Sequence, residues 1–362
     1  MGVDPVELLR DLVAINSVSG QEERASRFLA AEMTRLGMDA FVDDAGNAIG
    51  RRAVPDETGH IRHQIMLLGH IDTVPGEIPV RIEDGKLYGR GSVDAKGPLA
   101  TFVVAAAEAQ LPPRTEVIVI GAVEEECATS AGARFVAEQY RPDWCIIGEP
   151  GGWNGITLGY KGRFLMRYSL RQPMEHSAGP DMGAVDRAVA WWQRVLDYTS
   201  QYNQGRERYF DQLLPALRAI NSDSDGLINE VVVEAGLRLP PGFDAAVFET
   251  LAREWAGDAR LECDESVPAY QGDRQNPLAR SLSLAIRENG GRPQPRLKTG
   301  TSDMNIVGPR WGCPILAYGP GDSRLDHTPG EHILLDDYFL AIRVLRAVLE
   351  RGQLVKERLR RR

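Results

Sequence analysis

The residues best suited to chemistry are imidazoles and carboxylates that stand just after apolar runs. His70 closes IMLLGH and Asp72 follows two positions later, so a histidine and a carboxylate leave one strand together at its carboxyl end. Ligands bind at that end of open α/β sheets. Asp94 lies in GRGSVDAKG, a glycine-rich turn that opens a helix, and Glu124, Glu125 and Glu126 directly follow VIVIGAV. Glu149 ends the run WCIIGEP, and His327 lies in LDHTPGEH beyond ILAY.

Taken singly, each of these has a plain reading. A strand-end histidine is more often structural than a ligand, and Asp94 suits a helix cap as well as it suits a metal. Three adjacent glutamates suit a solvated turn, although at the end of a buried strand they repel one another unless cations or water reach them. Together, two imidazoles and several carboxylates project from strand ends of one sheet, and coincidence becomes the weaker account. A donor set of nitrogen and oxygen without thiolate suits Zn²⁺, Co²⁺ or Mn²⁺, and a bridging carboxylate holds two ions about 3.5–4 Å apart. Such a pair lowers the pKa of water from about 15.7 to about 7, so the chemistry predicted is metal-assisted hydrolysis. His60 and His63, in a polar stretch ahead of a strand, read as surface residues.

The elements that must position these groups are legible in outline. Asp4 before Pro5 predicts a capped first helix, and Ser19 with Glu22 predicts a capping box for a second helix that Gly37 closes. Buried strands are predicted at 65–68, 117–123 and 145–147, alternating with helices at 98–110 and 131–140. That alternation predicts an α/β layer. After Tyr160 the style changes to a strand RFLMRYSL, a helix over 185–202, a strand over 231–239, a helix after Asp244 and a strand near 260–267. From Asn276 the earlier style returns, with a helix, a strand at 314–318 and a closing helix from Asp336. The middle block thus reads as an insertion, giving 1–162 and 273–362 to one domain and 163–272 to a smaller one.

Composition bounds what such a chain does. At 362 residues, 43% of them apolar, it has material for about two domains. Forty-two basic against 51 acidic side chains, a net charge of −9, argue against nucleic acid or an anionic membrane as the main partner. No segment reaches the roughly 18 apolar residues of a membrane span. Asp4, Glu7 and Asp11 interrupt the first apolar stretch, unlike a signal peptide, and four scattered cysteines form no CxxC pair. These features predict a cytosolic protein. The basic QLVKERLRRR at 353–362 reads as a solvated helix end.

In order and spacing, GHIDTVPG, GRGSVDAKGPLA, VEEECATSAGAR, IIGEP and DHTPGE resemble the motifs of the co-catalytic dinuclear zinc aminoacylase, carboxypeptidase and deacylase family that includes acetylornithine deacetylase and succinyl-diaminopimelate desuccinylase. The resemblance spans nearly the whole chain. Within it, HIDTVPGEIPV, GEPGGWNGITLGYKGR and KTGTSDMN look closest to hydrolases that release lysine or ornithine from an amino-group carrier protein.

The resemblance implies a zinc-exopeptidase-like mixed sheet sandwiched by helices, with an inserted α+β lid and dimerisation domain. It implies two divalent ions, zinc or cobalt, with His70, Glu149 and His327 as terminal ligands, Asp94 as the bridge and Asp72 orienting His70. Family members carry Asp-Glu-Glu at the triplet, so aligning Glu124 with the aspartate makes Glu125 the general base and Glu126 a ligand. A register shifted by one would make Glu126 the base. His176 in PMEHSAGP matches the lid histidine that stabilises the oxyanion, often from a partner subunit; Arg238 matches a substrate-carboxylate arginine; Gly300 and Thr301 match a loop at the substrate end. A cis peptide is implied after Asp94. An acidic carrier protein as substrate predicts basic residues at the mouth of the site, with Lys161, Arg163, Arg238 and Lys298 as candidates. The alternatives are a small-molecule deacylase or aminoacyl peptidase with the same chemistry, or a non-catalytic scaffold on this fold.

Overall fold

The computed structural model describes residues 4–174, 176 and 181–352. They form two compact units, one comprising the chain up to Gly159, 272–297 and from Ser302 onward, the other Tyr160–Gln271 with Lys298–Thr301. The basic segment 353–362 lies outside the described residues.

The larger unit is built on a mixed sheet whose strands run in the order Asp39–Val42, Ala48–Val54, Thr115–Ala122, His63–His70, Trp144–Gly148, Ile315–Ala317 and Gly155–Tyr160, with Gln294–Lys298 pairing the last. The four strands from 115–122 to 315–317 are mutually parallel and the flanking ones antiparallel. Parallel strands buried on both faces carry near-continuous apolar runs. Ile65–Leu68 and Val117–Ile120 accordingly have next to no exposed surface.

The helix Lys96–Glu108 is apolar nearly all round, KGPLATFVVAAAE, and is buried over its first eleven residues. Such a helix belongs inside a domain. It packs between Pro5–Ala14 and Leu335–Arg351, and Ala131–Gln139 packs with Met304–Trp311. The first helix is capped as predicted, the Asp4 carboxylate accepting from Val6 N and Glu7 N. The second, Glu23–Arg35, is not: Glu22 stands at its N-cap without a side-chain cap.

The smaller unit is an antiparallel sheet in the order Leu214–Ser224, Ile228–Leu239, Gly162–Pro173, Arg260–Cys263. The strand Gly162–Pro173 alternates buried and open positions, the period of a sheet with one covered face. Helices Ala184–Asn203 and Ala245–Ala256 cover that face, with Tyr168 stacked on Trp191 at 5.0 Å and Phe164 edge-on to Phe248. Leu214–Ser224 is a strand with no counterpart among the predicted elements. It is an edge strand, largely exposed, and its sequence LPALRAINSDS lacks the apolar alternation that marks a covered one. The segment 298–301, assigned from sequence order to the larger domain, belongs to this unit through hydrogen bonds: Lys161 N donates to Lys298 O, and Thr301 Oγ1 donates to Lys161 O.

Two expectations, one for a histidine and one for a lysine, are corrected by burial. His63 is not a surface residue. It opens the central strand, is 1% exposed, and lies edge-on to Trp144 at 4.8 Å, with Nδ1 3.6 Å from Asp143 Oδ2. Lys161 is not a docking cation: it is fully buried, and its ammonium donates to the carbonyls of Phe210 and Gln212. Burial holds its pKa down to about 8.

Candidate active site

His70, Glu124–Glu126 and Glu149 follow adjacent parallel strands at their carboxyl ends, so strand pairing alone brings them to one edge of the sheet. His70 Nε2 lies 3.3 Å from Asp94 Oδ1, and His327 Nε2 lies 3.2 Å from Asp94 Oδ2 and 3.0 Å from Glu126 Oε1. One carboxylate therefore presents one oxygen to each imidazole. Two groups have potential ligand atoms all within 4.8 Å of one another: His70 with Asp94 and Glu126, and His70 with Glu125 and Glu149. Asp94 is not a cap, since the helix Lys96–Glu108 starts from Ala95 without a side-chain cap, and the Asp94–Ala95 peptide is cis.

Asp72 is the brace of the site. It is fully buried; its Oδ1 lies 3.3 Å from His70 Nδ1 and accepts from Glu125 N at 3.1 Å, while Oδ2 accepts from Glu126 N at 3.0 Å. Ser19 Oγ donates to the same Oδ2 at 2.7 Å, and Glu22 Oε1 accepts from Glu124 N at 3.2 Å. The two residues that match a capping box thus turn their side chains to positioning the triplet.

Glu124 sits at φ 61, in the left-handed region, at a cost of about 1–2 kcal/mol. Its carboxylate turns to Thr129 Oγ1. That leaves Glu125 on the side of His70 and Glu149, and Glu126 on the side of His327. The turn is clamped from behind: Asn47 Oδ1 accepts from Val123 N at 3.0 Å, and Gly132 N donates to Val123 O at 3.2 Å. A Cβ at Gly132 would meet Asn47 Oδ1 at 2.3 Å and Val123 N at 2.6 Å. Gly132→Ala is expected to destabilise the fold by about 1–3 kcal/mol through overpacking. A denaturation midpoint unchanged from wild type would show that the clamp has slack.

The Asp94 turn has its own support. Glu331, fully buried, accepts from Val93 N at 2.9 Å and Asp94 N at 3.2 Å and pairs with Arg90 at 2.7 Å. Asp303, 2% exposed, adds a further carboxyl; burial pushes its pKa up to about 7, with His70 pulling it down and Asp72 raising it. Neither stands out in the sequence. Both lie inside the motifs DHTPGEH and KTGTSDMN, but an acidic residue in a loop gives no sign of burial.

The electrostatics call for positive charge. Burial raises the Glu125 carboxyl well above the ordinary range; His70 opposes this, and Glu149, Asp303 and Glu126 add to it. Burial works against a charged His70, but Asp72 and Asp94 outweigh it and hold the imidazolium well above its ordinary pKa. Asp94 and Glu126 raise His327 to about 10. Carboxylates outnumber imidazoles, and no thiol belongs to either group. This donor set fits hard or borderline divalent cations.

In the smaller unit, Arg238 Nη1 donates to Thr301 Oγ1 at 2.9 Å, so these two predicted substrate residues are brought together. Arg238 stands opposite Arg163 across the strand register. Gly300 adjoins Thr301, and a Cβ added there would meet nothing within 4 Å. His176 is exposed just beyond the strand Gly162–Pro173; its neighbours 177–180 lie outside the described residues.

A mixed sheet with an inserted antiparallel unit, and a carboxylate set between two histidines, define a class. Residues 66–351 match the peptidase family M20/M25/M40, and the chain belongs to that family. It is 44% identical over 355 residues to a [LysW]-lysine hydrolase from Deinococcus radiodurans, covering 95% of this chain and 96% of that one. It is also 44% identical to a putative [LysW]-lysine/[LysW]-ornithine hydrolase from Thermococcus kodakarensis, with 98% and 94% covered. Among solved structures it resembles the di-peptidase Dug1p from Saccharomyces cerevisiae, with a TM-score of 0.77 at 12% identity and 96% and 95% coverage. No helix among the described residues is long and apolar enough to cross a membrane.

Proposed function

We propose that this protein is a metal-dependent amide hydrolase that frees lysine or ornithine from the C-terminal glutamyl side chain of an acidic carrier protein, in amino-acid biosynthesis in the cytosol. The observation that carries the chemistry is Asp94, with one oxygen toward His70 and the other toward His327. The substrate follows from the near full-length likeness to hydrolases named for LysW.

His70 and Glu149 would hold one ion, Glu126 and His327 the other, and Asp94 both. Two divalent ions there, zinc or cobalt, supply Lewis acidity and make hydroxide available at neutral pH. Glu125 takes the proton from the attacking water and passes it to the leaving amine. A carboxylate whose basicity is raised by burial suits both transfers. Arg238, steadied by Thr301 beside Gly300, pairs with the carboxylate of the substrate, for which its planar fork is suited. His176 donates to the oxyanion.

The exposed edge strand Leu214–Ser224, with Leu217 and Ile220 open, supports a homodimer formed through the smaller unit. His176 then acts on the partner's site. A heterodimer of His176→Ala with Glu125→Ala is expected to recover part of the activity, because one of its sites keeps both groups. Verified heterodimers without any recovery would place the histidine in its own subunit's site.

The test of function is release of free amino acid. Charged carrier bearing lysine, charged carrier bearing ornithine, and free acetylornithine are incubated separately with enzyme. Release from carrier far exceeding that from acetylornithine is expected. The reverse order would make the protein a small-molecule deacylase, and no turnover with any of the three, in zinc- or cobalt-loaded protein, would favour a scaffold.

A further inference from the structure

Away from the metal-ligating groups, Arg274, Arg280 and Arg287 line a concavity of about 380 Å³ on the larger unit, over a floor that includes Ile156, Leu158 and Pro293. Arg280 and Arg287 lie seven residues apart on the helix Pro277–Glu288, two turns along one face, and Arg274 comes from the turn leading into it. All three are exposed.

Many surface arginines are matched by nearby acids, as in Arg35 with Glu32, Arg253 with Glu249, and Arg346 with Glu108. Among the described residues none of the three concavity arginines has an ion pair. Their acidic neighbours are engaged otherwise: Asp273 accepts from Gln275 N, and Glu288 pairs with Arg351. A chain with 51 acidic against 42 basic side chains thus gathers three unneutralised guanidiniums around one apolar floor. Like charges so placed repel one another, a cost that an incoming set of carboxylates reverses. Proline in the wall limits what binding must order.

The concavity is tied to the turn that follows Glu149. Gln294 N donates to Asn154 O at 2.9 Å, and Arg296 Nη1 donates to Gly151 O at 2.8 Å, so the wall that carries Pro295 is anchored within a few residues of that carboxylate.

We propose that this concavity docks an acidic face of the carrier protein, its carboxylates on Arg274, Arg280 and Arg287. The proposal rests on the reading of the protein as a carrier hydrolase and deepens it: the enzyme grips its carrier at a second place, apart from the groups that take the scissile amide. Arginine suits this role, since its fork accepts carboxylates two oxygens at a time.

The experiment compares wild type, Arg280→Glu/Arg287→Glu and Arg280→Lys/Arg287→Lys on charged carrier and on the dipeptide γ-glutamyl-lysine, each over a range of salt. Charge reversal is expected to raise KM for carrier about tenfold or more and flatten its salt dependence, with kcat within about twofold. Dipeptide hydrolysis stays at the wild-type rate, and the lysine variant keeps most of the affinity. A carrier KM that moves less than about twofold overturns the docking site alone. Equal losses on carrier and dipeptide overturn it as well, since they mark a structural role. Wild-type enzyme that cleaves the dipeptide but frees nothing from carrier overturns the substrate reading, and the docking site with it.

Discussion

Glu125→Gln is expected to lower amino-acid release by about 10²–10⁴-fold while leaving two ions bound, because it removes a proton carrier and keeps a side chain of the same shape. The neighbouring substitutions should behave differently. Glu126→Gln weakens the side of the site shared with His327 and is expected to cost bound metal. Glu124→Gln is expected to stay within a few-fold of wild type, since that carboxylate faces Thr129. Metal content and kcat measured on the three variants decide the register of the triplet. A Glu126→Gln enzyme that is fully metallated and inactive, beside a Glu125→Gln enzyme that has lost metal, would exchange the roles of Glu125 and Glu126.

Asp94→Ala is expected to have the other large effect. The carboxylate faces both imidazoles, so its loss should empty both positions and lower turnover by roughly a thousandfold or more, several kcal/mol of electrostatic stabilisation. Added zinc or cobalt should rescue a chelator-stripped wild type and fail to rescue the variant. Glu331→Gln gives the graded case. It leaves all proposed ligands in place but loosens the turn that presents Asp94, and is expected to weaken metal binding about 10–100-fold. An Asp94→Ala protein retaining two ions by metal analysis would falsify the bridging role.

What the sequence makes legible follows from what burial does to composition. Parallel strands covered on both faces become apolar runs, so 63–70, 115–122 and 144–148 are visible, and with them the strand ends that carry His70, the triplet and Glu149. The partners of those groups are not. Ser19 and Glu22 match a capping box in spacing, yet their side chains turn to Asp72 and the triplet, residues far from them in sequence. His63 sits among polar residues in sequence but enters the sheet, where its ring meets Trp144. Lys161 reads as a surface cation until the carbonyls of Phe210 and Gln212 are seen around it. The edge strand 214–224 leaves no mark in the sequence because an uncovered strand has no reason to alternate. In each case the missing information is a contact distant in sequence.

The place of the strand Ile315–Ala317, between 144–148 and 155–160, makes assembly a late event in synthesis. A nascent chain presents His70, Asp94, Glu126 and Glu149 long before His327 leaves the ribosome. The antiparallel sheet formed within 160–271 has all its strands by then and is able to fold as a unit. The larger sheet waits, with an unfilled slot along 144–148 whose backbone groups have no partner on that side. Chains interrupted before 315 are therefore aggregation-prone fragments with a carboxylate cluster, and they lack the second imidazole that would complete a two-ion site. Completion of the proposed two-ion site therefore waits for the finished polypeptide.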